Sequence, residues 1–197
     1  MESLYGSEYG NLEEIKNELM DRIEDLRKKL KAELGMDPIE HVLGRVKDEE
    51  SMREKCIRKG LPVTRESALF KIHDAIGIRV VCAFLDDVYR TRDYLEHFDD
   101  IEVVEEKDYI RHAKESGYRS LHLILKIKDK YYAEIQIRTI SMDTWASLEH
   151  HIHYKKEKAA NDALISSELK RCADELASTD VSMQTLRDMI LEEIKNR

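Results

Sequence analysis

The stretch Glu134-Ile135-Gln136-Ile137-Arg138-Thr139 alternates polar and apolar side chains, and it closes a longer β-branched and aromatic run that begins at Tyr131. Successive side chains along a strand point to opposite faces, so Ile135 and Ile137 share one face while Glu134, Gln136 and Arg138 share the other. Residues 120–127 repeat the pattern, with Leu121, Leu123 and Leu125 set against Tyr118, Ser120 and His122. A turn at Lys128-Asp129-Lys130 joins the two runs into a predicted hairpin. Leu and Ile can be buried on one side of it. The other side then presents a carboxylate, an amide, a guanidinium, an imidazole and hydroxyls together. An antiparallel sheet with one wet face would give the same alternation. The short or multidentate polar types favour a site.

Outward from the hairpin, the β-branched run 78–84 reads as a central strand covered on both faces, residues 86–98 as a helix and 101–106 as a strand. Leu12, Ile15, Leu19, Ile23, Leu26, Leu30 and Leu34 recur at spacings of three and four, which writes one apolar stripe on a helix over residues 11–34. Asn11 with Glu14 has the pattern of a capping box, and Gly35 followed by Pro38 is a stop. A strand over 41–46, a helix over 48–59 ended by Gly60 and Pro62, and a short helix over 64–73 follow. From Met142 onward the chain reads as helix, with breaks expected near Ala160-Asn161 and near Ser178-Thr179-Asp180. No internal repeat is visible.

At 197 residues the chain can form one sizeable domain with helical extensions, and two full domains are not expected. The net charge of −8 argues against broad nonspecific nucleic-acid binding, which draws on phosphate neutralisation. An anionic ligand needs a local basic patch instead. One lies at Arg45, Lys47, Arg53, Lys55, Arg58, Lys59 and Arg65, although a solvated helix face is the usual meaning of such a run. No apolar run is long enough to cross a bilayer, and the first residues lack a signal-peptide layout, so a cytoplasmic protein is expected. Cys56, Cys82 and Cys172 form no CxxC pair and are read as reduced thiols.

Within the basic patch, Ser51, Lys55 and either Arg58 or Lys59 share a helix face, offering a hydroxyl and cations to a polyphosphate. Arg45 and Arg79 can stack a guanidinium plane on a base. Asp74 precedes the strand at Ile78, where a carboxylate can reach a metal or simply cap a turn. Tyr118, between Gly117 and Arg119, can offer a ring to a purine or be an ordinary core tyrosine. His150, His151 and His153 lie close in sequence, but on a helix only His150 and His153 share a face.

The order Asp108-Tyr109-Ile110, Lys114-Glu115-Ser116-Gly117-Tyr118-Arg119-Ser120-Leu121-His122, Glu134 to Thr139, Met142-Asp143, Trp145 and Glu149-His150 resembles the synthetase domain of the RelA/SpoT family. Gly44-Arg45-Val46-Lys47 and Asp74-Ala75-Ile76-Gly77-Ile78-Arg79 extend the resemblance, which covers about residues 38–155 and is nearest to the stand-alone small alarmone synthetases of the RelQ type. It implies an α+β, nucleotidyltransferase-like fold: a mixed, mainly antiparallel five-stranded sheet flanked by helices. An N-terminal helical extension (1–35), a synthetase core (36–158) and C-terminal oligomerising helices (159–197) would follow.

The resemblance also implies ATP as pyrophosphate donor, GDP or GTP as acceptor, and magnesium. On the donor side Arg45 and Arg79 would sandwich the adenine, with Lys47, Ser51, Lys55 and Lys59 on the phosphates. Asp74 and Glu134 would hold the metal, Glu134 serving also as base. Tyr118 would stack on guanine, with Lys114, His122, Gln136, Tyr109 and Arg138 on the acceptor side. A homotetramer is implied, and RNA binding is left open. His41, Leu43 and His153 depart from the product-activated subgroup, so weak or absent activation by product is expected. The rival readings are a toxin of the same fold that modifies adenine nucleotides or the 3′ end of transfer RNA, and a non-catalytic nucleotide-binding or RNA-binding module.

Overall fold

The computed structural model describes residues 3–156 and 162–196. In chain order the elements are α1 (Glu8–Leu34), β1 (Ile39–Val46), α2 (Glu49–Arg58), a π-helical turn (Ser67–Lys71), β2 (Ile76–Cys82), α3 (Leu85–Glu96), β3 (Ile101–Asp108), β4 (Leu121–Ile127), β5 (Tyr131–Thr139), α4 (Ile140–Lys156) and α5 (Asp162–Lys195). The strands form one five-stranded sheet in the order β1-β2-β5-β4-β3. Only β2 and β5 run parallel; the other pairings are antiparallel, which makes the sheet mixed and mainly antiparallel as expected.

The hairpin forms as read. Leu121, Leu123, Leu125 and Ile127 from β4 and Tyr131, Ala133, Ile135 and Ile137 from β5 are buried. Lys128 and Asp129 make the turn at φ +51 and +56, the left-handed values that suit a tight hairpin. Beneath the sheet, Leu12, Ile15, Leu19 and Ile23 of α1 and Val88 and Leu95 of α3 complete the core. The opposite face stays open over β2, β5 and β4. This fixes where a site can be.

Four expectations are corrected. The run at 78–84 is not the middle strand: β5 holds the centre, and in β2 Gly77 and Arg79 are only half-buried because they border an open cleft. Helix α1 starts at Glu8, so no capping box forms, and Asn11 Nδ2 donates to Glu8 Oε2 at 3.1 Å from inside the helix. The reason is a packed entrance: Tyr5 is fully buried, its hydroxyl donates to the Lys47 carbonyl at 2.9 Å, and the Leu4 N–H donates to Glu49 Oε2 at 2.8 Å. The helix expected over 64–73 contracts to the π-helical turn, with Thr64 Oγ1 accepting from the Ser67 N–H at 3.2 Å.

Last, α5 does not break at Ser178-Thr179-Asp180. Asp180 turns inward to accept from Thr139 Oγ1 at 2.6 Å, while Thr179 Oγ1 donates to the Glu175 carbonyl at 3.0 Å, so these polar residues are satisfied without leaving the helix. The break expected at Ala160-Asn161 falls outside the described residues, as does the side chain of His153. No helix among the described residues is long and apolar enough to cross a membrane.

Candidate active site

The strand register lays the polar side chains out in rows. Gln136 sits between Arg79 on β2 and His122 on β4, and Glu134 between Gly77 and Ile124. Because Gly77 carries no side chain, the space beside Glu134 on the β2 side is open.

Arg138, buried at the end of β5, organises the row. A guanidinium can only donate. Its Nη2 donates to Tyr118 Oη at 2.6 Å and to Gln136 Oε1 at 2.8 Å. Tyr118 Oη then has its proton for His122 Nε2 at 2.8 Å, which leaves the Nδ1 proton of His122 facing Glu134 Oε1 at 3.4 Å. Gln136 Nε2 donates to the other oxygen, Oε2, at 3.2 Å. Arg138 is therefore linked to the two oxygens of Glu134, by hydrogen bonds through Gln136 to Oε2 and through Tyr118 and His122 to a longer contact with Oε1. The hydrogen bond from His122 is the main force holding the Glu134 carboxyl below its ordinary pKa, against burial and the neighbouring Asp74 charge. Glu134 is an ionised carboxylate at neutral pH.

Asp74 lies across the same space, just ahead of β2. Asp48 caps α2 by accepting from the Ser51 N–H at 2.8 Å, and the helix brings Lys55 back so that its Nζ lies 2.5 Å from Asp74 Oδ2. Lys47 Nζ, from the end of β1, bonds the same oxygen. Burial works against the Asp74 charge, but these two cations outweigh it and hold the carboxyl below its ordinary pKa. The second oxygen, Oδ1, is buried without a hydrogen-bond partner. A carboxylate with one unpartnered oxygen, lining the same cleft as Glu134, suits a hard cation bound through one or two carboxylates. Among the described residues no group of three or more His, Cys, Asp and Glu side chains could hold a metal by itself.

Two clefts flank this arrangement. The first, of about 250 Å³, is lined by Arg45, Lys47, Asp74, Arg79, Glu134 and Gln136 together with Leu43, Gly44, Gly77 and Ile78. The second, of about 210 Å³, is lined by Tyr109, Lys114, His122 and Glu134 together with Glu105, Lys107 and Ile124. Glu134 borders both. Lys114 Nζ lies 4.5 Å from the ring centre of Tyr109 and 5.0 Å from that of Tyr118, within cation–π range of each.

Most of the residues singled out in the sequence are thus gathered here. Tyr118 and Arg138 stand behind the second cleft, whose aromatic lining comes from Tyr109. Ser51 and Lys59 line neither cleft; Lys59 is exposed at the C-terminal cap of α2. One residue was quoted in the family resemblance but given no role. Asp143, in the first turn of α4, accepts from Arg138 Nη1 at 3.1 Å and lies 3.4 Å from Arg79 Nη1, joining the two sides. Its position just beyond a strand full of site residues was the available signal.

Two clefts meeting at one ionised carboxylate, one of them edged by cations, define a site for transferring a group between two ligands. The chain matches the family model described as the region found in RelA/SpoT proteins over residues 44–159, and it belongs to that family. It is 44% identical over 147 residues to the GTP pyrophosphokinase YwaC of Bacillus subtilis, covering 71% of this chain and 70% of YwaC. The small alarmone synthetase 1 of Bacillus subtilis, solved bound to its product pppGpp, superposes with a TM-score of 0.77 at 32% identity, covering 91% of this chain and 94% of that one. The same synthetase bound to AMPCPP superposes with a TM-score of 0.73 at 30% identity, covering 92% and 94%.

Proposed function

We propose that this chain transfers the β,γ-pyrophosphate of ATP to the 3′-hydroxyl of GDP or GTP, yielding (p)ppGpp and AMP. The observation that carries the reading is the position of Glu134 on the border of both clefts. The basic first cleft takes ATP, with Arg45 and Arg79 on the adenine and Lys47 and Lys55 on the phosphates, assisted by Ser51 and Lys59. The second takes the guanine nucleotide, with Tyr109, Lys114, Tyr118 and His122 around it.

In the reaction the 3′-oxygen bonds to the β-phosphorus, the bond to the α-phosphate oxygen breaks, and AMP leaves. The protein's tasks are alignment, charge neutralisation and removal of the 3′ proton. Glu134 receives that proton, and Gln136 and His122 hold its carboxylate in place. When the triphosphate enters, Lys47 and Lys55 exchange Asp74 for phosphate oxygens, which opens both oxygens of Asp74. Magnesium held there by Asp74 and Glu134 would offset the charge that builds on the transferred pyrophosphate.

The domain reading belongs to the same proposal: a synthetase core over 36–158, preceded by the helical segment 1–35 and followed by C-terminal helices that assemble a cytoplasmic homotetramer. Its support is the outward row Val181, Leu186, Met189, Ile190 and Ile194 on α5, each about half or more exposed. Light scattering on the purified protein is expected to give four copies.

The activity is tested by incubating the protein with ATP labelled in the β and γ positions, magnesium and GMP, GDP or GTP in turn, then separating the nucleotides. Label is expected in a 3′-pyrophosphorylated guanine nucleotide, with AMP formed in equal amount. Transfer to an adenine nucleotide alone would overturn the choice of acceptor, and no transfer to any nucleotide would overturn the reaction.

A further inference from the structure

Helix α5 is fixed to the core by polar anchors along its inner face. The Leu169 carbonyl accepts from Trp145 Nε1 at 2.8 Å, Asp180 from Thr139 Oγ1 at 2.6 Å, and Gln184 Oε1 from the Asp86 N–H at 3.1 Å; Arg187 Nη1 donates to Asp87 Oδ2 at 3.0 Å. These contacts reach α4, β5 and α3 in turn, so residues 169–187 cannot shift without disturbing the sheet or the helices beside it.

Between the first two anchors, α5 meets the loop that enters β4. Gly117 there has φ +93, and a Cβ on it would lie 2.7 Å from Ala173 Cβ and 3.2 Å from Lys170 Cα, so the loop backbone rests directly on the helix. On the far side of Tyr118, Arg119 Nη2 donates to Asp174 Oδ1 at 3.0 Å, and its Nη1 reaches the carbonyls of Gly117 at 3.2 Å and Ala173 at 3.5 Å. Tyr118 is therefore clamped from both neighbours. The loop is closed on itself as well, with the Lys114 N–H donating to the Tyr118 carbonyl at 3.1 Å and the Gly117 N–H to the Lys114 carbonyl at 2.8 Å. What fixes Gly117 and Arg119 thereby also fixes Lys114, which lines the second cleft, and Tyr118, which joins Arg138 to His122.

We infer that Ala173 and the Arg119–Asp174 pair are positioning residues for the acceptor: through them α5 sets where Lys114 and Tyr118 stand against a guanine nucleotide in the second cleft. The inference rests on the function proposed above. It predicts a larger effect on the acceptor than on ATP, because Lys114 lines the second cleft while no residue of this contact lines the first, which is reached only through Tyr118 and Arg138. A clasp that served stability alone would weaken both substrates together.

The test compares Arg119→Ala, Asp174→Ala, the exchanged pair Arg119→Asp with Asp174→Arg, and Ala173→Leu. For each, the KM values for GDP and ATP, the equilibrium affinity for GDP by calorimetry, and the Tm are measured. Asp174→Ala is expected to weaken GDP by about tenfold in KM and Kd, the loss of roughly one charged hydrogen bond, and Arg119→Ala, which also frees the carbonyls of Gly117 and Ala173, by at least as much. The KM for ATP should stay within about twofold and the Tm should hardly move, since the pair is partly exposed. The exchanged pair should recover part of the GDP affinity, and Ala173→Leu, which presses on Gly117, should lose the most. Unchanged GDP affinity in the two alanine variants overturns the inference, as do equal rises in both KM values with a falling Tm. If Ala173→Leu fails to fold, the partly exposed pair still decides the matter. A wild-type protein that binds GDP yet transfers nothing would count against the proposed reaction, and the calorimetric comparison would still judge the inference.

Discussion

Glu134→Gln is expected to lower turnover by about 10²–10⁴-fold, the range typical for loss of a positioned proton acceptor, while much of the ATP affinity survives. The substitution keeps the size of the side chain but removes its charge and one of its two acceptor oxygens. Both oxygens are used: Oε1 faces His122 and Oε2 accepts from Gln136. An amide must therefore turn its NH2 toward one of these groups, and no orientation restores a base. The donor cleft keeps Arg45, Lys47, Asp74 and Arg79, so ATP retains its cationic partners. Rapid-quench measurement of AMP release, alongside calorimetric titration with a non-hydrolysable ATP analogue, separates the two quantities. Full turnover in the variant would remove Glu134 from the chemistry. A loss confined to ATP affinity would make it a binding residue.

Much of that site was legible in the sequence because the period of a strand is fixed. Once residues 131–139 are a strand, Glu134, Gln136 and Arg138 must share a face, and the same logic puts Tyr118 and His122 beside them after a tight turn. The basic face of α2 was legible in kind but not in aim. Lys47 and Lys55 are separated by most of a helix, and only the path from β1 into α2 shows that both converge on Asp74. The order of the strands was hidden for a similar reason: a buried strand and one bordering a cleft look alike when the exposed positions are filled by Gly77 and Arg79. The role of α5 was hidden most fully. Its inner face carries Asp180, Gln184 and Arg187 at helical spacing, which reads as a polar surface or a break. Each has a partner more than forty residues away, and no local pattern reports such pairing.

One of those partnerships dominates the expected stability of the C-terminal region. Arg187→Ala is predicted to destabilise the fold by about 3–5 kcal/mol, the usual consequence of removing one member of a buried ion pair. Arg187 and Asp87 are 2% and 1% exposed. Burial pushes the Asp87 carboxyl above its ordinary pKa, and the Arg187 charge is the largest influence opposing that. Arg187 Cζ also lies 4.7 Å from the ring centre of Phe84, so truncation removes packing as well as charge.

Without Arg187, the cation left in ion-pair range of Asp87 among the described residues is Arg90, 3.5 Å from Oδ1, and the Asp87 pKa in the folded state rises further. A carboxyl whose folded pKa lies above its unfolded value favours the folded state at low pH and loses that contribution as pH rises through the folded pKa. The penalty in Arg187→Ala should accordingly be largest at neutral pH and shrink as the pH falls toward the ordinary carboxylate range. Urea denaturation at several pH values measures this, and a loss below about 1 kcal/mol at neutral pH would contradict it. Replacing both residues, as Asp87→Leu with Arg187→Leu, removes the charges together and is expected to be neutral or stabilising by about 1–4 kcal/mol. If that double variant is as stable as the wild type but its KM for GDP rises, the ion pair serves the placement of α5 and the loop it braces rather than the stability of the fold.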